Sequence, residues 1–374
     1  MQLTLSETQT MLQDTANRLL RDRYSFEHRN KVLAGHGESL WNAFAELGLL
    51  GIEIGEDYGG AAGSFADVAV VLEAMGRHLV VEPFLSTVVL GAGLIAEGAS
   101  GEMRASLLRA IAEGNLTVAL AHGEPRARYV LSHVETRARR TEAGFTIDGA
   151  KSMALGANDA KQLIVSARTS GDAADARGVS LFLVDPKATG VALRPVQMID
   201  DRGAAEITLT NVQVPPSALL GPLDGALPLI ERAYDRGAAA VCCEAVGAMV
   251  AANEATIEYL KTRVQFGRPI GKFQALQHRM ADMAMAEELA RSMSFLVASA
   301  ADETDSAARA HAISAGKVQI AEAGRTVGHG AVQLHGGIGM TMEYVIGHYL
   351  RRIVAAEKLF GDVDHHLSRF ADHL

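Results

Sequence analysis

Glycines and polar side chains concentrate late in the chain, in QLHGGIGMT (Gln333 to Thr341), between two helical stretches. Two glycines at such a join let the backbone approach a ligand closely. They also leave free N–H groups at the next helix start, which suits a pyrophosphate. No strand precedes the segment, so it is not a Rossmann fingerprint and does not indicate NAD. The chain has no GxxxxGK(S/T), HExxH, CxxC or GxSxG, so the P-loop, zincin, zinc-ribbon and nucleophilic-hydrolase readings lack a signature. His365 and His366 follow Asp362 and Asp364. Adjacent residues rarely ligate one ion together, so a solvated helix end is expected there and no metal site. The glycines of EDYGGAAGS (Glu56 to Ser64) read as helix punctuation rather than a phosphate loop.

The elements that must carry these residues fall into three zones of a multi-domain α+β chain. In residues 1–115, apolar residues recur at helical spacing after a capping box formed by Ser6 and Gln9, which indicates an all-α domain. In residues 116–222, short β-branched runs such as Val179 to Val184 and Glu206 to Val214 alternate with turn clusters, TEAG and IDGA among them. This pattern predicts an antiparallel β-domain that Pro215 and Pro216 close. In residues 223–374, helices are expected over Leu227 to Arg263, Lys272 to Asp302, Ser306 to Gln333 and Met342 to Phe360, a length and spacing that favour a four-helix antiparallel bundle. Its dense alanine and methionine read as core packing at close helix approach.

At 374 residues the chain is long enough for two or three packed units. A formal charge of -9 argues against nucleic-acid and anionic-membrane partners. No continuous apolar run reaches the roughly 18 residues of a membrane span, and the N-terminus lacks a signal-peptide pattern. The only cysteines, Cys242 and Cys243, are adjacent and cannot pair normally with each other. A cytoplasmic protein is expected.

Two segments read together are more specific. RVQFGRPIGKFQALQHRMADM (Arg263 to Met283), followed by QLHGGIGMTMEY (Gln333 to Tyr344), resembles the paired C-terminal signatures of acyl-CoA dehydrogenases. The order of helical zone, β-domain and four-helix bundle is also similar to that family. The resemblance implies an FAD enzyme that converts acyl-CoA to trans-2-enoyl-CoA and passes electrons to electron-transfer flavoprotein or a similar acceptor. It implies dimers or tetramers in which these two segments reach into a neighbouring subunit's FAD. By the same resemblance Arg263 meets the pyrophosphate and Phe266 packs on the adenine side. Gln274, Gln333, Gly336 and Gly337 supply side-chain or backbone contacts. A guanidinium and bare N–H groups are what a diphosphate requires.

The chain departs from the family pattern at the chemistry itself. A carboxylate must remove the α-proton as the β-hydrogen leaves as hydride, so one acid must stand at a defined place. Counted from Arg263, the family's helical base position falls on Gly237; its late position falls on Phe360, directly before Gly361. Neither is an acid. Where the family has a tryptophan and a threonine beside the isoalloxazine, this chain has Met153 and Leu155, although Glu124 and Pro125 of the preceding loop persist. One reading is the complementing subunit of a heteromeric dehydrogenase, similar to the small subunits of pimeloyl-CoA-type and steroid side-chain enzymes. The other readings are a self-sufficient homo-oligomer using a displaced acid, with Asp235, Glu244, Glu357 and Asp362 as candidates, or a flavin- or CoA-binding relative with other or no chemistry.

Overall fold

The computed structural model describes residues 4–372 and divides into two compact units. One gathers the chain up to Glu38, Ser64–Val80 and everything from Ala238 onward; the other holds Ser39–Gly63 and Val81–Gly237.

The first zone is helical, as expected: α1 (Glu7–Arg23), α2 (Phe26–Leu33), α3 (Trp41–Glu46), α4 (Phe65–His78), α5 (Ala92–Gly98) and α6 (Gly101–Ala112). Ser6 and Gln9 form the capping box, with the Ser6 N–H donating to Gln9 Oε1 at 3.0 Å and the Gln9 N–H to Ser6 Oγ at 3.1 Å. A buried π-helical segment, Leu85–Gly91, leads into α5.

The middle zone forms β1 (Val118–Ala121), β2 (Arg137–Thr141), β3 (Gly144–Leu155), β4 (Gln162–Arg168), β5 (Val179–Val184), β6 (Val191–Gln197), β7 (Gly203–Val214) and β8 (Leu219–Leu220). They make one sheet in the order β6-β7-β3-β2-β4-β5-β8, with β1 paired to β4. The expectation of a purely antiparallel sheet is corrected, because β1 runs parallel to β4 and β2 touches β4 in parallel. A parallel pair needs a crossover, and here the β2–β3 hairpin lies within it. TEAG is the expected turn between β2 and β3, since Thr141 pairs with Gly144. IDGA is not a turn: it lies inside β3, where the register slips between Ile147 and Gly149. Asp-Gly serves a bulge as readily as a turn, because both need a residue that accepts unusual φ. Pro215 and Pro216 end β7 but do not close the sheet, as β8 follows and pairs with β5. The buried faces of Phe145, Ile147, Leu163, Phe182, Ile207 and Val212 form the core of this unit.

The last zone holds α7 (Leu227–Thr262), a hairpin of β9 (Val264–Gln265) and β10 (Arg268–Pro269), then α8 (Gln274–Ala300), α9 (Ser306–His335), α10 (Val345–Lys358) and α11 (Val363–Ala371). The four expected helical stretches are present, and α11 is a further one. By mean hydropathy α7 is long and apolar enough to cross a membrane, although it holds no continuous apolar run of that length; 78% of that window is buried, as in a core helix. Within the first unit, α4 and α7 meet backbone to backbone. A Cβ on Gly76 would lie 1.9 Å from the Glu244 carbonyl oxygen, and one on Gly247 would lie 1.9 Å from that of Glu73. Only glycine permits this crossing from both sides.

Candidate functional site

At the end of α7 the Arg263 N–H donates to the Tyr259 carbonyl at 2.8 Å, while the Arg263 carbonyl accepts the Ile270 N–H at 2.8 Å and so closes the base of the β9–β10 hairpin. The hairpin tip is Phe266-Gly267, with φ of 52° and 75°. Two left-handed residues make the two-residue turn that matches strand twist, a place where Asn-Gly is the preferred pair. Phe266 is instead there, 90% exposed. Below it Phe273 stands edge-on at 6.1 Å and carries the Arg268 guanidinium 4.2 Å from its ring centre. Gln274 opens α8 and points to solvent, while Gln277 Nε2 secures the preceding turn by donating to the Gly271 carbonyl at 2.8 Å.

The end of α9 is joined to this region by His335. Its ring stacks on Tyr259 at 4.4 Å, one helical turn before Arg263, and faces Tyr344 at 5.2 Å. Tyr259 Oη also donates to the His335 carbonyl at 3.4 Å. The structure thus brings the Arg263 segment and the glycine turn together within one unit. His335 Nδ1 bonds the Ala331 carbonyl at 2.8 Å, and burial holds the imidazole below its usual pKa. Its Nε2 is buried and, among the described residues, has no hydrogen-bond partner. The sequence reading passed over His335, although it sits inside QLHGG.

Gly336 has φ of +63° and its N–H closes α9 by bonding the Gln333 and Val332 carbonyls, so that donor is engaged within the chain. A Cβ on Gly336 or Gly337 would meet nothing within 4 Å. Packing inside this chain therefore does not require glycine at 337. The Arg263, Gln274 and Gln333 side chains are exposed and have no ion-pair or side-chain hydrogen-bond partner among the described residues.

In the other unit Met153 occupies a register slip of β3 between Lys151 and Ala154, with φ of 53° and 46% exposure. Such bulges re-aim a side chain out of a sheet. Leu155 is buried and paired with Ala204. The Ser152 N–H donates to the Gly123 carbonyl at 2.8 Å, which lays the 121–127 loop beside Met153. Glu124 turns inward: it accepts Lys151 Nζ at 2.6 Å and the N–H groups of Glu135 at 2.7 Å and Thr136 at 3.1 Å. Burial works against its charge, but Lys151 and these donors outweigh burial and hold the carboxyl below its usual range. Its place in the structure is as a buried strut.

The two positions expected for the base differ in setting. Gly237 is buried in α7, and Asp235, two residues earlier, is 2% exposed. Phe360 has φ of +60° and its carbonyl accepts from His366 Nε2 at 3.1 Å. Glu244 lies 4.0 Å from Arg352. Burial opposes the Glu357 charge, yet Arg325 and Lys358 keep its carboxyl low. Asp362 caps α11 by accepting the His365 N–H at 3.1 Å. The histidine pair is not the solvated helix end expected: His366 is 1% exposed, held by Ser314 Oγ at 3.1 Å from α9. No metal-binding group of three or more His, Cys, Asp or Glu occurs among the described residues.

A cavity of about 450 Å³ in the first unit is lined by Asn17, Glu73, Arg77, His78 and Arg291. Burial raises the Glu73 carboxyl, but Glu73 binds Arg291 at 3.0 Å, Arg291 binds Glu287 at 3.1 Å, and Arg77 binds Glu254. These charges answer one another.

The chain matches the acyl-CoA dehydrogenase N-terminal domain over residues 6–115, the middle domain over 119–212 and the C-terminal domain over 227–374. It is 29% identical to acyl-CoA dehydrogenase FadE12 of Mycobacterium tuberculosis, across 83% of this chain and 80% of that protein. It is 29% identical to acyl-CoA dehydrogenase IpdE2 of Mycolicibacterium smegmatis, across 98% of each. Among solved structures, a variant of the Tcur3481-Tcur3483 steroid ACAD superposes with a TM-score of 0.87 at 30% identity, covering 99% of this chain and 98% of that one.

Proposed function

The chain belongs to the acyl-CoA dehydrogenase family, and from that premise we propose that it works in the FAD-dependent oxidation of an acyl-CoA to the trans-2-enoyl-CoA as the complementing subunit of a heteromeric enzyme. The observation that carries this reading is a surface prepared for a dinucleotide combined with base positions that hold no acid. Arg263, Gln274 and Gln333 are exposed without partners, and open space stands before Gly336 and Gly337.

These residues fit FAD. The Arg263 guanidinium would hold the pyrophosphate, with Gln274 and Gln333 as neutral donors beside it. The bare backbone at Gly337 would admit the phosphates, and the exposed Phe266 ring would cover the adenine side. When bound, FAD accepts the β-hydrogen of the acyl group as hydride. The α-proton needs a carboxylate, and Gly237 and Phe360 leave that role to the partner subunit. Met153 presents a thioether where a ring is expected, and Leu155 has no hydroxyl to offer. The engagement of Glu357 with Arg325 and Lys358, and of Asp362 as a helix cap, weighs against a displaced acid in this chain. The likeness to a steroid ACAD favours a bulky, steroid side-chain acyl-CoA as the substrate class, with electron-transfer flavoprotein or a similar carrier as acceptor.

The test is purification of the chain alone and co-expressed with a family member that carries glutamate at either base position. Alone it should hold less than one FAD per chain and show little flavin bleaching by acyl-CoA; together, both should be restored. Full FAD occupancy and brisk turnover of the isolated chain would overturn the reading.

A further inference from the structure

The turn that follows α10 is held in an unusual way. Lys317, on α9, is 2% exposed, and its ammonium lies within hydrogen-bond distance of four carbonyl oxygens: Ala356 at 2.7 Å, Glu357 at 3.1 Å, Leu359 at 2.8 Å and Gly361 at 2.9 Å. An ammonium has three protons, so the acceptors exceed the donors and the cation is caged. The one carbonyl between 359 and 361 belongs to Phe360, and it accepts from His366 Nε2 at 3.1 Å. His366 is itself fixed through Nδ1 by Ser314 Oγ at 3.1 Å, which makes Nε2 the protonated nitrogen when the hydroxyl donates.

A helix end leaves its last four carbonyls without an intrahelical partner, and the contacts to Ala356 and Glu357 serve that need; those beyond the helix do not. Here three successive carbonyls, 359, 360 and 361, are each pinned from outside the turn. A peptide unit is planar, so fixing three successive planes fixes φ and ψ of the two residues between them. Those residues are Phe360, with φ of +60°, and Gly361, with φ of +117°. A Cβ on Gly361 would lie 2.6 Å from His366 Nε2, so the glycine is needed for the imidazole to come so close. A phenylalanine gains nothing from the left-handed region by itself, and the clamp supplies the reason it stays there.

We propose that Lys317 and His366 are positioning residues that set the direction of the side chain at position 360, whatever that side chain is, and so form a rigid pedestal for the family's late base position. The proposal rests on the reading of 360 as that position. Its consequence is that a carboxylate placed at 360 needs no further redesign of the turn to be correctly aimed.

Hydrogen exchange of the full chain tests the clamp without any cofactor. His366→Leu, which removes one hydrogen bond to the turn, should raise exchange about tenfold at the bonded amides on either side of it, Leu359 and His365, and Lys317→Met, which removes up to three, should raise it more, while α8 stays unchanged. His366→Gln, which keeps a donor, should retain most of the protection even if Lys317→Met folds poorly. Protection of the Leu359 and His365 amides unchanged in His366→Leu overturns the clamp. A second arm tests the reading beneath it. Phe360→Glu, co-expressed with a family partner whose own base glutamate is changed to glutamine and given a steroid side-chain acyl-CoA, should bleach the flavin, and adding His366→Leu should slow bleaching about tenfold with the affinity for that acyl-CoA unchanged. Equal rates with and without His366→Leu overturn the positioning role. An inert Phe360→Glu together with the expected exchange pattern overturns the assignment of position 360 and leaves the clamp standing.

Discussion

Phe266 sits in a backbone region that costs a bulky side chain about 1 to 2 kcal/mol, and its exposed ring recovers little of that within the chain. A residue kept under such strain points to a contact made outside the chain. Phe266→Asn, which gives the tip the preferred Asn-Gly pair, is expected to stabilise the isolated chain by up to about 1 kcal/mol. The same change should weaken FAD retention in the assembled enzyme about tenfold, because an aromatic face is lost. Thermal unfolding and flavin titration measure the two effects; no change in either would refute the argument. Met153 and Phe360 share this left-handed geometry, so three expected site positions carry strain that a sequence does not display. Arg263 and the glycines were singled out through the resemblance, whose motifs are local in sequence. His366 and Lys317 were not, because Ser314 lies 52 residues from His366 and the Gly361 carbonyl lies 44 from Lys317.

Two helices that meet through glycines on both sides leave no room to adjust. Gly247→Ala would drive a methyl into the Glu73 carbonyl, and a loss of about 2 to 3 kcal/mol in urea unfolding is expected. Gly337→Ala is the contrasting case: with open space around it, stability should move by less than about 0.5 kcal/mol while FAD retention falls. If Gly337→Ala destabilised the isolated chain as much as Gly247→Ala, the glycine turn would be a packing feature and not a binding one. The long helices were readable because their periodicity persists over many turns. The β1–β4 pairing was not, as strand partners separated by some forty residues leave no local trace. IDGA shows the limit most clearly, for an Asp-Gly pair suits a hairpin turn and a bulge alike, and here it lies at a register slip inside β3.

Two buried imidazoles give the whole molecule an acid limit. His122, beside Ser166, is pushed down to about 3 by burial and then by Lys151; His366 is pushed down to about 2 by burial, Lys317 and its neighbour His365. Below pH 6.5 the unfolded chain binds protons at these sites and the folded chain does not. Their contribution is therefore complete above pH 6.5 and declines as pH falls from 6.5 toward about 3. Each histidine removes roughly 1.4 kcal/mol per pH unit in that window. Urea unfolding at pH 7 and pH 5 should show the loss, and equal stabilities would exclude it. The division into two units that each draw on the first helical zone was not readable from composition, since both units take helices of similar character from it. The hairpin closed by the Ile270 N–H and the Tyr259–His335 stack is shaped before any partner arrives. Docking then requires little further ordering, and rigid surfaces of that kind find each other as finished bodies. Subunits made in separate cells should accordingly combine into active enzyme on simple mixing, with no need for synthesis side by side.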